Sequence, residues 1–236
     1  MKPVVLSLAA LGALVLVACD VDFDPEWQLD HDRVVAVAAN PPGIAAGERS
    51  ELVALIAEKG GPVAELVPEQ AIVASPMSLA GALAFDGGSW VVTAPASEEQ
   101  MIAARTELGL MPGAPVPLVV GVSYGAGTLF ATKVVVLGVA VENPQLGAVT
   151  VNAVEAPATD LVVGKLVDVP MTVALADPEH QDVNWLTSCG TMHDFDLPQS
   201  YLRVEAEDPV EGQLVVVVRD RKTGGVAWRI WSIRAE

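Results

Sequence analysis

The chain has 236 residues, with 13 Lys and Arg against 30 Asp and Glu, and a net charge of −17 at pH 7. A chain this acidic is repelled by nucleic acid and by anionic headgroups, which excludes both as partners for its globular part. Its length suits two domains of roughly 100 residues rather than one small sandwich. Hydrophobic residues make up 52 % but aromatics only 5 %, because Val, Ala and Leu dominate, and Val favours strands.

The first element is the segment Val4–Val17, largely apolar and preceded by Lys2. As a helix at about 1.5 Å per residue it would span roughly 21 Å, short of a bilayer core of about 30 Å. A positive start, a short apolar core and small residues before a break describe a secretory signal peptide over residues 1–18. The closing run Leu16-Val17-Ala18-Cys19 resembles the lipobox of bacterial lipoproteins. That resemblance implies lipidation of Cys19, cleavage just before it, and a protein of the bacterial cell envelope held to a membrane by its N-terminal lipid. Two or more acyl chains give stable attachment at about 0.8 kcal/mol per buried methylene. Asp20 directly after the cysteine leaves both inner and outer membrane open. Residues 19–32 are rich in acids and carry no Lys or Arg, which reads as a solvated tether. A D-x-D-x-D calcium loop would need Gly at its sixth and Glu at its twelfth position, where this chain has Pro25 and His31.

Residues 33–140 read as a first β-sandwich. Val34–Ala38 is a strand ended by the turn cluster Asn40-Pro41-Pro42-Gly43. Leu52–Ile56 fits a strand better than a helix, and Trp90–Thr93 is another strand. Ser97 with Gln100 three residues on forms a capping-box pattern, Glu98 and Glu99 complement the positive helix end, and Gly109 suits the stop, so one helix is expected at about 97–108. Its Met101, Ala104 and Leu108 share a face. Two Val-rich runs, 116–124 and 128–138, flank Tyr124-Gly125-Ala126-Gly127 and read as a hairpin.

The polar break Val141-Glu142-Asn143-Pro144-Gln145 separates this part from residues 146–236. Strands are expected at 148–154, 160–164 and 169–175, and around Trp185. Residues 201–207 alternate, with Leu202, Val204 and Ala206 on one side. A last hairpin, Leu214–Val218 and Val226–Ile233, puts Trp228 and Trp231 on opposite faces. The tryptophan strand Val183-Asn184-Trp185, Gly212 before Leu214–Asp220, and Gly224-Gly225 before the last strand resemble an immunoglobulin-like or PKD-like module. The PKD signature Trp-Asp-Phe-Gly-Asp and the paired cysteines of antibody domains are absent. The Pro-Pro-Gly turn and the strand after it resemble the opening of bacterial immunoglobulin-like modules. The expected fold class is therefore mainly β, two tandem immunoglobulin-like antiparallel sandwiches, as in uncharacterised bacterial lipoproteins of that kind.

Two stretches bear on chemistry. Gly121-Val122-Ser123-Tyr124-Gly125 fits the G-x-S-x-G elbow of α/β-hydrolases, and with His193 and Asp194 a serine-hydrolase triad can be written. The elbow needs a strand, a sharp turn and a helix, whereas the residues after Gly125 favour a strand, so a binding or structural role is preferred over an esterase. Cys189, His193, Asp194 and Asp196 lie within eight residues and could form a ligand or metal loop, although a structural zinc site usually draws four ligands from two separated pairs. With Cys19 lipidated, Cys189 has no partner for an intramolecular disulfide. No cofactor is implied. The expected partners are the membrane, through the lipid, and an envelope protein or glycan, with loops 40–48, 125–127 and 188–198 carrying any contacts.

Overall fold

A computed structural model describes residues 25–236. The signal peptide, Cys19 and the first residues of the acidic segment lie outside the described residues. The strands in chain order are β1 (Arg33–Asn40), β2 (Gly43–Ile44), β3 (Arg49–Ala57), β4 (Ala64–Leu66), β5 (Gln70–Ser75), β6 (Leu83–Asp86), β7 (Ser89–Thr93), β8 (Val116–Tyr124), β9 (Leu129–Leu137) and β10 (Val149–Val151). They continue as β11 (Val154–Glu155), β12 (Asp160–Val163), β13 (Asp168–Val173), β14 (Gln181–Thr187), β15 (Thr191–His193), β16 (Gln199–Arg203), β17 (Glu211–Asp220) and β18 (Val226–Ala235). A 3-10 turn occupies Met77–Ala82, and the helix α1 runs from Glu98 to Leu108.

These strands form four sheets. Two are built from residues before Gly138, ordered β1-β3-β7-β6 with β4 added on β3, and β2-β9-β8-β5. The other two are ordered β12-β18-β17-β14 and β11-β10-β13-β16-β15. The fold is mainly β, in sandwiches. Two short pairings, β2 on β9 and β12 on β18, are parallel within otherwise antiparallel sheets.

Alternation along the strands explains the layering. In β3, Leu52, Ala54 and Ile56 face the core of the first sandwich together with Leu118, Val120 and Leu137. In β17, Leu214, Val216 and Val218 face the core of the second together with Trp185, Trp231 and Leu202. The apolar side chains on their other faces are covered too, Val53 partly and Leu55, Ala57, Val215 and Val217 fully. Leu55 and Ala57 of β3 meet Val215 and Val217 of β17 in a third apolar layer with Val35, Ala38, Leu186 and Val226. A strand buried on both faces loses its polar alternation, and that is why β1, β3 and β17 read as continuous Val, Ala and Leu runs. The four sheets thus stack as one pile with three apolar layers.

Polar contacts lock the middle layer. Asn143 donates its side-chain amide to the Ala39 carbonyl at 2.9 Å and accepts from the Val226 N–H at 2.8 Å. Gln213 accepts from the Val63 N–H at 2.5 Å, Arg219 donates to the Val35 carbonyl at 2.7 Å, and the Trp228 indole N–H donates to Glu65 at 2.7 Å. The polar break at 141–145 is therefore a clamp.

Several local expectations change. Residues 25–32 do not form a solvated tether. Leu29 is buried, and the Leu29 and Thr187 N–H groups donate at 2.9 Å to the Thr187 and Trp27 carbonyls respectively. Asp30 and Asp32 accept from the backbone N–H groups of Gly60 and Lys59, so these acids fix a loop to the first sandwich. The apolar Trp27 and Leu29, embedded in an acidic run, drive this docking. Ser97 holds the N-cap position of α1 but makes no capping bond; the acid at Glu98 instead pairs with buried Arg105 at 2.5 Å. The other helix end forms as expected, with Gly109 left-handed and the Leu110 N–H reaching the Arg105 carbonyl at 2.8 Å. Met101 and Ala104 are buried and Leu108 packs beside them.

The stretch 148–154 is not one strand. Asn152 and Ala153, with φ of 52° and 61°, turn the chain back between β10 and β11, the two-residue left-handed geometry of a tight hairpin. The alternation at 201–207 ends early, because Glu205 N–H donates to Asp208 in a turn and leaves Ala206 exposed.

Candidate functional site

Ser123 lies at the end of β8, opposite Phe130 of β9 and Gln70 of β5. The chain turns at Tyr124–Thr128 straight into β9, so no helix follows and no nucleophile elbow forms. His193 and Asp194 belong to β15 and the turn after it, in the sheet at the opposite end of the pile. With three sheet-to-sheet spacings of about 10 Å between them, the serine and the histidine are roughly 30 Å apart. The triad is not assembled.

The Cys189 stretch is dispersed by its own strand. Cys189 is fully buried in the second core, and its Sγ donates to the Pro209 carbonyl at 2.8 Å. Burial, aided by Asp208 and opposed by Lys165, pushes the thiol pKa up, which keeps it protonated and a poor nucleophile or ligand. A side chain at Gly212 would come within 2.7 Å of Cys189 Cβ, so the backbone of β17 seals this thiol in. His193 stacks on Tyr201, with ring centroids 4.4 Å apart and planes 9° apart. Asp194 and Asp196 are exposed, and the Asp194 carbonyl accepts from Leu197 N–H in a turn. Among the described residues no three His, Cys, Asp or Glu side chains converge on a possible metal position. Trp185 and Trp231 are core residues whose indole N–H groups donate to the Leu197 and Pro157 carbonyls. Trp228 lies in the middle layer.

The most distinctive surface is the outer face of β5, β8 and β9, at one end of the pile. A shallow groove of about 250 Å³ runs across it between Ile72 and Phe130, lined also by Gln70, Gly121, Ser123 and Thr132. Gly121 pairs with Ile72 on one side and Thr132 on the other, and its missing side chain makes the floor. Ile72 is 67 % exposed, Phe130 72 % and Val134 38 %. No charged side chain belongs to this face: Lys133, within β9, points the other way and is buried. In a chain with 30 acids, an uncharged, apolar strand face is a feature set apart from the rest of the surface. The signal in the sequence was the outward set Phe130, Thr132, Val134, eclipsed there by the serine motif on the neighbouring strand.

The sequence matches no known family and no curated protein. Among solved structures it is similar to a chimeric titin Z1Z2-Z1Z2 tandem, at 13 % identity and TM-score 0.29 over 87 % of this chain and 99 % of that one. It is also similar to the fibronectin(III)-like modules of Clostridium thermocellum CbhA, at 12 % identity and TM-score 0.29 over 85 % and 94 %. The insect immune protein hemolin matches at 11 % identity and TM-score 0.27, over 92 % of this chain and 49 % of its own. At these TM-scores the likeness adds nothing to the sheets described above.

Proposed function

We propose that the chain is a lipid-anchored module of the bacterial cell envelope that binds a protein partner and performs no catalysis. The observation that carries the binding role is the uncharged face of β5, β8 and β9, with Ile72 and Phe130 standing out on either side of Gly121. The occupant proposed for it is a protein presenting an equally uncharged β face. The molecule itself supplies a precedent for β-face packing, since the opposite sheet of the same sandwich is covered by the apolar residues of β14, β17 and β18. Mutual repulsion between acidic chains is weakest where neither side carries charge. The anchor reading rests on the lipobox match at Leu16–Cys19.

The test uses the full chain in a bacterial host with a photoreactive residue at Thr132, beside Phe130. A discrete cross-link to one envelope protein, abolished by Ile72→Lys, is expected. Cross-linking unaffected by Ile72→Lys overturns the face as the binding surface, and a cross-link only to a second copy replaces the partner by self-association. Cys19→Ser is expected to move the protein from the membrane to the soluble fraction. Retention of that variant on the membrane overturns the anchor.

A further inference from the structure

The open end of the first sandwich holds a second concavity, distinct from the apolar face and independent of the role proposed for it. This cleft of about 540 Å³ lies between the β8–β9 turn and the segments following β3 and β4. A volume of this order suits a small molecule. Among the described residues three carboxylates, Asp32, Glu58 and Glu69, line it with one cation, Lys59. Two of the carboxylates are held by backbone donors: Asp32 Oδ1 accepts from Lys59 N–H at 2.8 Å, and Glu69 Oε2 accepts from Ala126 N–H at 2.9 Å. Each therefore keeps a second oxygen for another donor. Apolar wall comes from Leu66 and Val67, which are 38 % and 41 % exposed.

The inner wall includes Tyr124. It is 2 % exposed, and its hydroxyl has no hydrogen-bond partner among the described residues. A buried hydroxyl without a partner is costly, and native proteins seldom leave one unless something else satisfies it. Burial pushes the phenol pKa up, so the group remains an O–H donor throughout the physiological range. The cleft thus offers an anionic lining, an apolar wall and one buried donor in need of an acceptor.

We infer that this cleft is a binding site for a small organic cation, with an ammonium group drawn in by the negative lining of Asp32, Glu58 and Glu69, an aliphatic body against Leu66 and Val67, and a carbonyl or hydroxyl oxygen accepting from Tyr124. Three probes of similar size separate these contributions: 6-aminohexanamide carries ammonium and carbonyl, hexanamide carries only the carbonyl, and hexanoate is an anion.

Calorimetric titration of the full chain is expected to show one site for 6-aminohexanamide. Hexanamide should bind at least roughly tenfold more weakly, and hexanoate should not bind at about 20 mM. Glu58→Gln and Glu69→Gln should each weaken the cation roughly tenfold, in a salt-dependent manner. Tyr124→Phe removes the orphan hydroxyl without changing shape. It should weaken 6-aminohexanamide roughly tenfold while leaving the thermal midpoint of the unliganded protein unchanged or raised. The site is overturned if no probe binds, if hexanamide or hexanoate binds as well as the cation, or if Tyr124→Phe leaves the affinity unaltered. None of these outcomes touches the apolar face, whose cross-linking test reads a different surface.

Discussion

Lys133 occupies a core-facing position of β9, in alternation with Ala131 and Val135, and is 5 % exposed. Its ammonium donates to the Gly224 carbonyl at 2.5 Å in the turn between β17 and β18. Among the described residues no carboxylate pairs with it, and the charge that acts on it is another cation, Arg219. Burial first, and Arg219 second, lower its pKa to about 8 from 10.5. The sign follows from linkage: between pH 8 and 10.5 the unfolded chain binds more protons at this site than the folded one, so stability rises with pH across that window and falls as pH drops through 8. At 1.36 kcal/mol per pKa unit the charged lysine costs about 3 kcal/mol at pH 7. Lys133→Met removes that cost and leaves one carbonyl unpaired, worth about 1 kcal/mol. Denaturant unfolding is expected to show Lys133→Met more stable by about 2 kcal/mol at pH 7, with the difference shrinking as pH rises and reversing in sign by pH 10.5, where the neutral lysine keeps its bond to the carbonyl and the methionine does not. A variant less stable at pH 7, with an unchanged pH profile, would show that the ammonium is well solvated in the folded chain. Nothing in Thr132-Lys133-Val134 reveals this in the sequence, because a charged residue within a strand reads as outward until the neighbouring sandwich is in place. Cys189 likewise reads as a chemical residue only because His193 and Asp194 follow it closely in sequence; strand geometry buries it and leaves them outside.

At the scale of the element, β17 carries the lesson of the middle layer. Leu214–Val218 are all buried, with Leu214, Val216 and Val218 in the second core and Val215 and Val217 in the layer shared with β1 and β3. In contrast β13 alternates exposed and buried along Asp168–Val173, since its outer face meets solvent. The expectation is that Val215→Ala and Val216→Ala each cost about 2 kcal/mol, from two lost methyl groups plus the cavity, while Val162→Ala, at a position 58 % exposed, changes stability by less than about 0.5 kcal/mol. A near-neutral Val215→Ala would mean that the two sandwiches do not share a layer. Strand existence was legible in these runs, as were α1, its glycine stop and the β8–β9 hairpin, because their periodicity and turn residues agree. Two-sided burial was present in the same letters, as the missing alternation of β1, β3 and β17, but a run of valines alone does not say what covers its second face. The short β5 and the docking of Trp27 and Leu29 were hidden for a different reason: each depends on a partner strand distant in sequence, and local pattern carries no record of it. The apolar face of β5, β8 and β9 and the anionic cleft at Tyr124 are equally non-local, each drawing residues from segments more than fifty positions apart.

For the whole molecule, the middle layer decides whether the chain behaves as two domains or one. Sandwiches joined by a bare linker unfold independently and swing against each other. Here eleven buried residues form a shared layer, and Asn143, Gln213, Arg219 and Trp228 bond across it. Losing either sandwich would expose that whole layer of the other, at a cost comparable to the stability of a domain. Calorimetry of the full chain should therefore give one transition whose calorimetric and van't Hoff enthalpies agree. Val217→Asp places an unpaired charge between β17 and the first sandwich without entering either core, and an uncompensated buried carboxylate costs more than the layer can absorb. Its expected effect is to split the transition in two, the core of each sandwich still melting cooperatively. Two transitions in the unsubstituted chain would overturn the single pile. So would one transition that Val217→Asp merely shifts, since the coupling would then lie elsewhere. A rigid pile has a mechanical consequence: the apolar β5–β8–β9 face is held in fixed orientation relative to residues 25–32, which are themselves bonded to β14 through Thr187.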